Sequence, residues 1–322
     1  MAFDQSQKAL VTFICLLFAL DYAAAAESRL LPPGDPFADP KHDPYNPLKY
    51  IASNTLTAIS FSLILSVAIS QTYCTFRWGA RWMLSLVIGS YLLAFGLSTR
   101  FGLHLHPQSR GLYIIEYLFV VLAPCAYIAA DYVLLGKLAR HLDADEYLLI
   151  AAQRITIAFV SSDITTFLIQ AAGGALSASA NSSHTNFVGS RIFLAGLIIQ
   201  LISFVIFTSL YIVFIYRVYT RKPHTWRRDQ AKAWYNDWRT LGAVLFISCV
   251  GILIRSLFRV IELSEGYQGR LATSEAFFYG LDTLPLFFAI VLYTPFWPGR
   301  FIREPSPPVA SIESEIVEEA KH

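Results

Sequence analysis

The chain reads as an all-α, polytopic membrane protein: a bundle of seven transmembrane helices with the N-terminus outside and the C-terminus in the cytoplasm. Three observations predict this. Of the 322 residues 55% are hydrophobic and only 15% charged, with a mean hydropathy of +0.48, far from the balance of a soluble domain. Beyond residue 50 come seven apolar runs of roughly the twenty residues a helix needs to cross a bilayer. Lysine and arginine gather in alternate loops between those runs, as they do when one side faces the cytoplasm.

In chain order, residues 1–26 carry Lys8, an apolar stretch from Ala9 to Leu20 and the small run Ala23 to Ala26. That pattern fits a cleaved secretory signal better than a spanning helix, the alternative being an uncleaved N-terminal anchor. Residues 27–49 hold Pro32, Pro33, Pro36, Pro40, Pro44 and Pro47, a spacing that forbids a helix and predicts an exposed, extended extracellular segment. The seven-helix domain, residues 50–300, follows. Its runs are about Tyr50 to Gln71, Arg81 to Thr99, Leu112 to Leu135, Arg154 to Gly174, Arg191 to Val218, Thr240 to Leu263 and Glu275 to Trp297. Pro124 and Pro285 are expected to kink the third and seventh runs, since each removes a backbone donor. No internal repeat is evident, which weighs against inverted-repeat transporter folds. Residues 301–322 form an acidic, proline-bearing cytoplasmic tail expected to be disordered. The four cysteines, at 15, 74, 125 and 249, suit no disulfide framework.

Orientation comes from the basic residues. One set of loops collects Arg77 and Arg81, then Lys137, Arg140 and Arg154, then seven between Arg217 and Arg239, then Arg300, Arg303 and Lys321. The other side holds Arg29, Lys41, Lys49, Arg100, Arg110, Arg191 and Arg270, which makes the first set cytoplasmic. A leader and the sequon Asn181-Ser182-Ser183 agree with this, and Asn181 is a candidate for glycosylation, though the tripeptide alone is a weak signal. All six tryptophans, Trp78, Trp82, Trp226, Trp234, Trp238 and Trp297, fall near cytoplasmic ends, as an interfacial belt would. The basic, tryptophan-rich loop from Arg217 to Arg239 is expected to lie against anionic inner-leaflet lipid.

Charges within apolar runs cost a few kcal/mol each near mid-membrane, on the order of 3 on insertion scales, and normally mark a working site. On the sixth run Ser248, Arg255, Arg259 and Glu262 share one helical face, with Arg259 and Glu262 three residues apart and able to pair. Asp163, Thr166, Gln170 and Gly174 make a stripe on the fourth, Gln200 and Ser203 lie one turn apart on the fifth, and Glu275 and Asp282 share a face of the seventh. The third carries Glu116 near its outer end, with Tyr127 and Asp131 in the cytoplasmic half. Thus Glu116, Gln170, Gln200, Arg255, Arg259, Glu262, Glu275 and Asp282 occupy one half of the membrane, with Asp163 near its middle. A shared polar cavity accounts for this, whether as a substrate-binding or proton-coupling site or as a network that locks helices together. Acids outnumber the arginines, which suits an amine or a proton.

Several classes are excluded. No extracellular cysteine ties the third helix to a loop, that helix ends Leu-Leu-Gly-Lys, and the seventh has Leu281-Asp282-Thr283-Leu284-Pro285 where a receptor would carry Asn-Pro-x-x-Tyr. No seventh-helix lysine is available for retinal. The seven histidines fall in loops or tails, leaving none to converge on zinc, and no Walker A pattern is present. No catalysis, metal, cofactor or nucleic-acid partner is expected.

The chain resembles the fungal lipid-translocating exporter family, also called RTA-like or resistance-to-aminocholesterol. The resemblance rests on Leu122-Ala123-Pro124, Ala130-Asp131-Tyr132 and Leu135-Gly136-Lys137; on Asp163 with Gln170-Ala171-Ala172-Gly173-Gly174; on Gly196-Leu197 with Gln200; on Arg255-Ser256-Leu257-Phe258-Arg259-Val260-Ile261-Glu262; and on Glu275 with Tyr279 and Asp282. These run in family order over about Tyr50 to Arg300. Two positions depart from it: Trp297-Pro298-Gly299 stands where His-Pro-Gly is expected, and Lys137 where arginine is more usual. The resemblance implies a plasma-membrane protein, delivered by the secretory pathway, that works on membrane lipids. It would move, or help cells tolerate, amphipathic compounds such as sphingoid long-chain bases, sterol-like amines and, in some members, haem-type compounds. Asp163, Asp282 or Glu275 would hold an ammonium head. The alternative it leaves open is a seven-helix sensor of lipid asymmetry or stress, acting through a cytoplasmic regulatory partner.

Overall fold

Each helix begins and ends where local chemistry allows it to. A computed structural model of the chain describes residues 37–43, 45–178, 182–227, 229, 233–266 and 269–302. The leader (1–26), Asn181 and the tail from residue 303 lie outside the described residues. Helix α1 (Asn54–Trp78) starts at Ser53, whose hydroxyl accepts from the Leu56 N–H, and stops at Gly79, which takes a φ of 73° that a side chain would resist. A single 3-10 turn, Arg81–Met83, leads into α2 (Leu84–Leu105). Helix α3 (Arg110–His141) is capped by Ser109, α4 spans Ala152–Ala178, α5 (Ser183–Arg221) is capped by Ser182, and α6 (Trp238–Ser264) by Asp237. Among the described residues these six are long and apolar enough to cross a membrane.

The seventh element, α7 (275–291), is composite. A turn of α-helix, Glu275–Phe277, gives way to a π-helix, Phe278–Thr283, and then to α-helix Leu284–Val291, with Pro285 in its first turn. Pro285 has no N–H to offer the carbonyl one turn earlier, so the widened turn forms where the regular ladder is already broken. Pro124, by contrast, lies inside α3, and that helix continues past it to His141. Lys137 and Arg140, expected in a loop, are therefore on its last turns.

Sequential helices pack side by side from α1 to α6. The later part of α7 lies against α6 and returns to α1, closing a ring, while α3 also meets α6 across the middle. The turns at 79–83 and 142–151 and the described residues of 222–237 share one end with the basic residues, here called the basic face. Gly251 lets α6 and α7 approach closely, since a Cβ there would lie 2.6 Å from the Pro285 carbonyl oxygen. A large apolar core, with Tyr132, Phe204, Phe207, Phe214, Trp238 and Leu286 among its buried members, fills the basic half and reaches past the middle. Beyond it lies a smaller apolar cluster of Val121, Phe193, Leu194, Leu197 and Leu263. The buried charges Arg100, Glu116, Arg255, Arg259 and Asp282 lie in that half as well.

Three expectations need correction. All six tryptophans are at the basic face, but Trp238 and Trp297 are buried core residues, not a belt; the Trp297 indole N–H donates to the Gly79 carbonyl at 3.0 Å. His104 belongs to the last turn of α2, its Nδ1 2.7 Å from the Ala52 carbonyl. The described part of the proline-bearing segment is folded. It turns around buried Asn46, which bonds the backbone at Pro40, Leu48, Lys49 and Tyr50, while Gln108 donates to Asp43 at 2.9 Å.

Candidate functional site

The charged residues in the half opposite the basic face separate into two clusters. The first is built on Arg100, five residues before the end of α2 and only 1% exposed. Its guanidinium donates to Glu116 on α3 at 2.6 Å, to Glu275 at the start of α7 at 3.2 Å and to the Tyr50 hydroxyl at 3.0 Å. Glu275 also accepts from the Ser53 N–H at 2.8 Å, and Tyr279 pairs with Thr57 at 3.0 Å. One arginine thus gathers the approach to α1 and the ends of α2, α3 and α7.

The second cluster joins α6 to α7. Arg255 and Arg259, one turn apart, both reach Asp282, which is wholly buried, with nitrogen–oxygen distances of 3.0 and 2.6 Å. Arg259 also pairs with Glu262 at 3.0 Å, and Arg255 donates to the Val120 carbonyl at 2.9 Å. The close approach at Gly251 brings the two arginines within reach of α7, and the π-helix turns Asp282 toward them. Phe278, on the same π-helix, lies between the clusters. Its ring centre is 4.3 Å from the Arg100 guanidinium and 5.8 Å from that of Arg259. The Tyr117 ring covers Arg259 from α3 at 5.4 Å. Flat aromatic faces suit guanidinium groups that are cut off from water.

A polar ladder crosses α4, α5 and α3. Gln170 donates to Gln200 at 2.8 Å, and Gln200 in turn approaches the Cys125 sulfur at 3.2 Å. Gly196 makes room for it, as a Cβ there would meet the Gln170 side chain at 2.7 Å. Two turns along α4 from Gln170 is Asp163. It is 5% exposed, and among the described residues neither carboxylate oxygen closes a hydrogen bond of good geometry. The Tyr132 hydroxyl lies beside it without the alignment of such a bond, and Cys125 is also near. Among the described residues no lysine or arginine stands within ion-pair distance of Asp163.

The nine sequence-derived candidates therefore do not form one cluster. Arg255, Arg259, Glu262 and Asp282 meet as expected, and Arg259 pairs with Glu262. Glu116 and Glu275 belong instead to Arg100, which the sequence places in a loop and the structure places in α2. Gln170 and Gln200 meet each other, and Asp163 stands apart. A signal for Arg100 existed: two buried glutamates at the same end require a cation, and Arg100 lies one residue past the run that ends at Thr99. Ser248 does not join Arg255 either. It donates to Asp131 at 2.9 Å, as Tyr293 does at 2.8 Å, in the basic half.

Chemically, Asp282, Glu262, Glu116 and Glu275 are already engaged by guanidinium groups. An entering cation would have to displace an arginine from them. Among the described residues Asp163 has no such occupant, and a buried carboxylate without a counter-charge is costly enough to favour either a proton or a cationic ligand.

A family model described as "RTA1 like protein" matches residues 86–305. Among curated proteins the chain is similar to Protein RTA1 of Saccharomyces cerevisiae, 32% identical over 186 residues that make up 58% of this chain and 56% of that protein. It is 31% identical over 189 residues to Protoporphyrin uptake protein 1 of the same yeast, covering 59% of each. It is 24% identical over 275 residues to Sphingoid long-chain base transporter RSB1, also from Saccharomyces cerevisiae, covering 76% of this chain and 71% of the relative. The chain spans a little over half the length of the first of these relatives. No solved structure matches it.

Proposed function

Because the chain belongs to the RTA1-like family and is a multi-pass membrane protein, we propose that it translocates or exports amphipathic compounds with a cationic head, of the sphingoid long-chain base or sterol-like amine class. In the plasma membrane, with the N-terminus outside, this activity would confer resistance to toxic lipids. The observation that carries the reading is Asp163: a buried acid in mid-bundle whose oxygens, among the described residues, meet no cation and close no hydrogen bond of good geometry, while its acidic neighbours are held by arginine. An ammonium head fits that carboxylate, and the Gln170 carbonyl oxygen, which also lacks a partner, is a further acceptor for a hydroxyl on the head. The tail of such a molecule is compatible with the apolar surfaces of α4 and α5, where Ile164, Leu168, Ile199, Ile202 and Ile206 are exposed. Names of two relatives support the class, one a sphingoid long-chain base transporter and the other a protoporphyrin uptake protein. Both names describe transport or uptake of a compound and not catalysis.

The test is flux of a fluorescent long-chain base in vesicles containing the purified full chain. Protein-dependent flux is expected, with a fall of at least about tenfold in Asp163→Asn, equivalent to about 1.4 kcal/mol. Flux no faster than in protein-free vesicles would reject transport and favour the sensor.

A further inference from the structure

The segment that leads into α1 crosses the end of the bundle opposite the basic face, and polar contacts hold it there. Arg100, His104 and Gln108, spaced by four along the last turns of α2 and the turn beyond, meet it in succession. Arg100 donates to the Tyr50 hydroxyl at 3.0 Å, His104 Nδ1 lies 2.7 Å from the Ala52 carbonyl oxygen, and Gln108 donates to Asp43 at 2.9 Å. On the opposite side the Ser53 N–H donates to Glu275, at the start of α7, at 2.8 Å. The same Glu275 oxygen accepts from Arg100 at 3.2 Å. Residues 45–53 thus run as a strap from the end of α2 to the start of α7.

Three features of the strap favour release over a permanent seal. Its buried apolar side chains are Leu48 and Ala52, and neither joins the two apolar clusters of the bundle, so water can replace most of what holds it. Lys49 takes a φ of 59°, in the left-handed region that a side chain resists, and is kept there by Asn46, which accepts from its N–H at 3.2 Å, and by the Asp43 carbonyl, which accepts from its ammonium at 2.8 Å. Beside Tyr50, Arg100 Nε and Glu116 Oε2 are buried without a hydrogen-bond partner among the described residues. Water entering below a lifted strap would satisfy both.

We propose that residues 45–53 are a lid: the strap closes the cargo's path at this end of the bundle and lifts each time cargo passes. This rests on the transport reading above. Lifting breaks the contacts of Asp43 with Gln108, Tyr50 with Arg100, Ala52 with His104 and Ser53 with Glu275, and it releases the strain at Lys49. Arg100 keeps Glu116 and Glu275, so α2, α3 and α7 stay tied while the end opens. Glu275 loses one of its two donors, which makes the first turn of α7 sense whether the strap is down. That turn leads straight into the π-helix that carries Phe278 and Asp282.

The experiment uses the full chain in vesicles, with Asp43→Cys and Gln108→Cys combined and a short, reducible bis-methanethiosulfonate to bridge the two thiols. Flux of a fluorescent long-chain base is read before bridging, after it and after reduction, and wild type treated in the same way accounts for the native cysteines. Bridging is expected to lower flux at least about tenfold and reduction to restore it within about twofold, as when one conformational step is blocked and freed. In a second measurement Ala52→Cys alone is exposed to a water-soluble maleimide. The base is expected to raise its labelling rate at least about threefold, because a lifting strap uncovers that position. Undiminished flux in the bridged protein would overturn the lid and leave transport standing, and so would labelling at position 52 that ignores the base. Failure of the pair to bridge would overturn it too, since the strap would then not lie against Gln108. Absence of flux in wild type would refute transport itself, and the lid with it.

Discussion

The acids gathered by arginine and those that, among the described residues, meet none lie within the same bundle in different electrostatic settings. Around Arg100 and around the Arg255–Arg259 pair, carboxylates from α3, α6 and α7 are satisfied by guanidinium groups, and the result is helices tied together at one end. Asp163 and Asp131 are also buried, but among the described residues neither meets a cation. In a low-dielectric interior, pairing removes an acid from chemistry, whereas an unpaired acid stays available to a proton or a cation. Position in the membrane is therefore a weaker guide to function here than the occupancy of each carboxylate.

Substitutions can break this contrast, and the largest effects belong to the paired side. Arg100→Leu leaves Glu116 and Glu275 facing each other without a cation, and a loss of about 3–5 kcal/mol is expected, visible as failure to recover folded protein in detergent. Asp282→Asn strips both Arg255 and Arg259 of their shared acid. It should cost about 3 kcal/mol and lower the thermal transition, with Arg259 partly rescued by Glu262. Gly251→Ala pushes a methyl against the Pro285 carbonyl and should cost about 1–3 kcal/mol while displacing Asp282 from the arginines. Trp297→Phe removes one indole bond to Gly79 and should cost about 1 kcal/mol, measured in the same thermal assay.

Much of this arrangement was legible in the sequence, for physical reasons. Apolar runs must cross a bilayer, so the helices declared themselves by length, and the spacing of Arg255, Arg259 and Glu262 placed them on one face. Gln170 and Gln200 were identifiable because amides inside apolar runs need partners. What escaped was whatever depends on exact helix ends and local geometry. Arg100 was hidden because α2 continues to Leu105, six residues past the expected end, which turned a loop charge into a buried one. The π-helix at Phe278–Thr283 leaves no trace in hydrophobic periodicity. It helps decide that Asp282 meets Arg255 and Arg259 while Glu275, one face-sharing step away in the sequence pattern, meets Arg100. Trp297 is hard to place from sequence because an aromatic near a membrane end looks the same whether it meets lipid headgroups or, as here, ties the segment after α7 to the turn after α1.

The central claim is that Asp163 is the acid kept open for a cation. It is tested most directly by equilibrium binding of a labelled sphingoid base to purified Asp163→Asn protein, with the thermal transition recorded on the same sample. The expected result is a transition within about 1 kcal/mol of wild type, because no ion pair is broken, together with a Kd weakened at least about tenfold. An unchanged Kd in that folded protein would contradict the account.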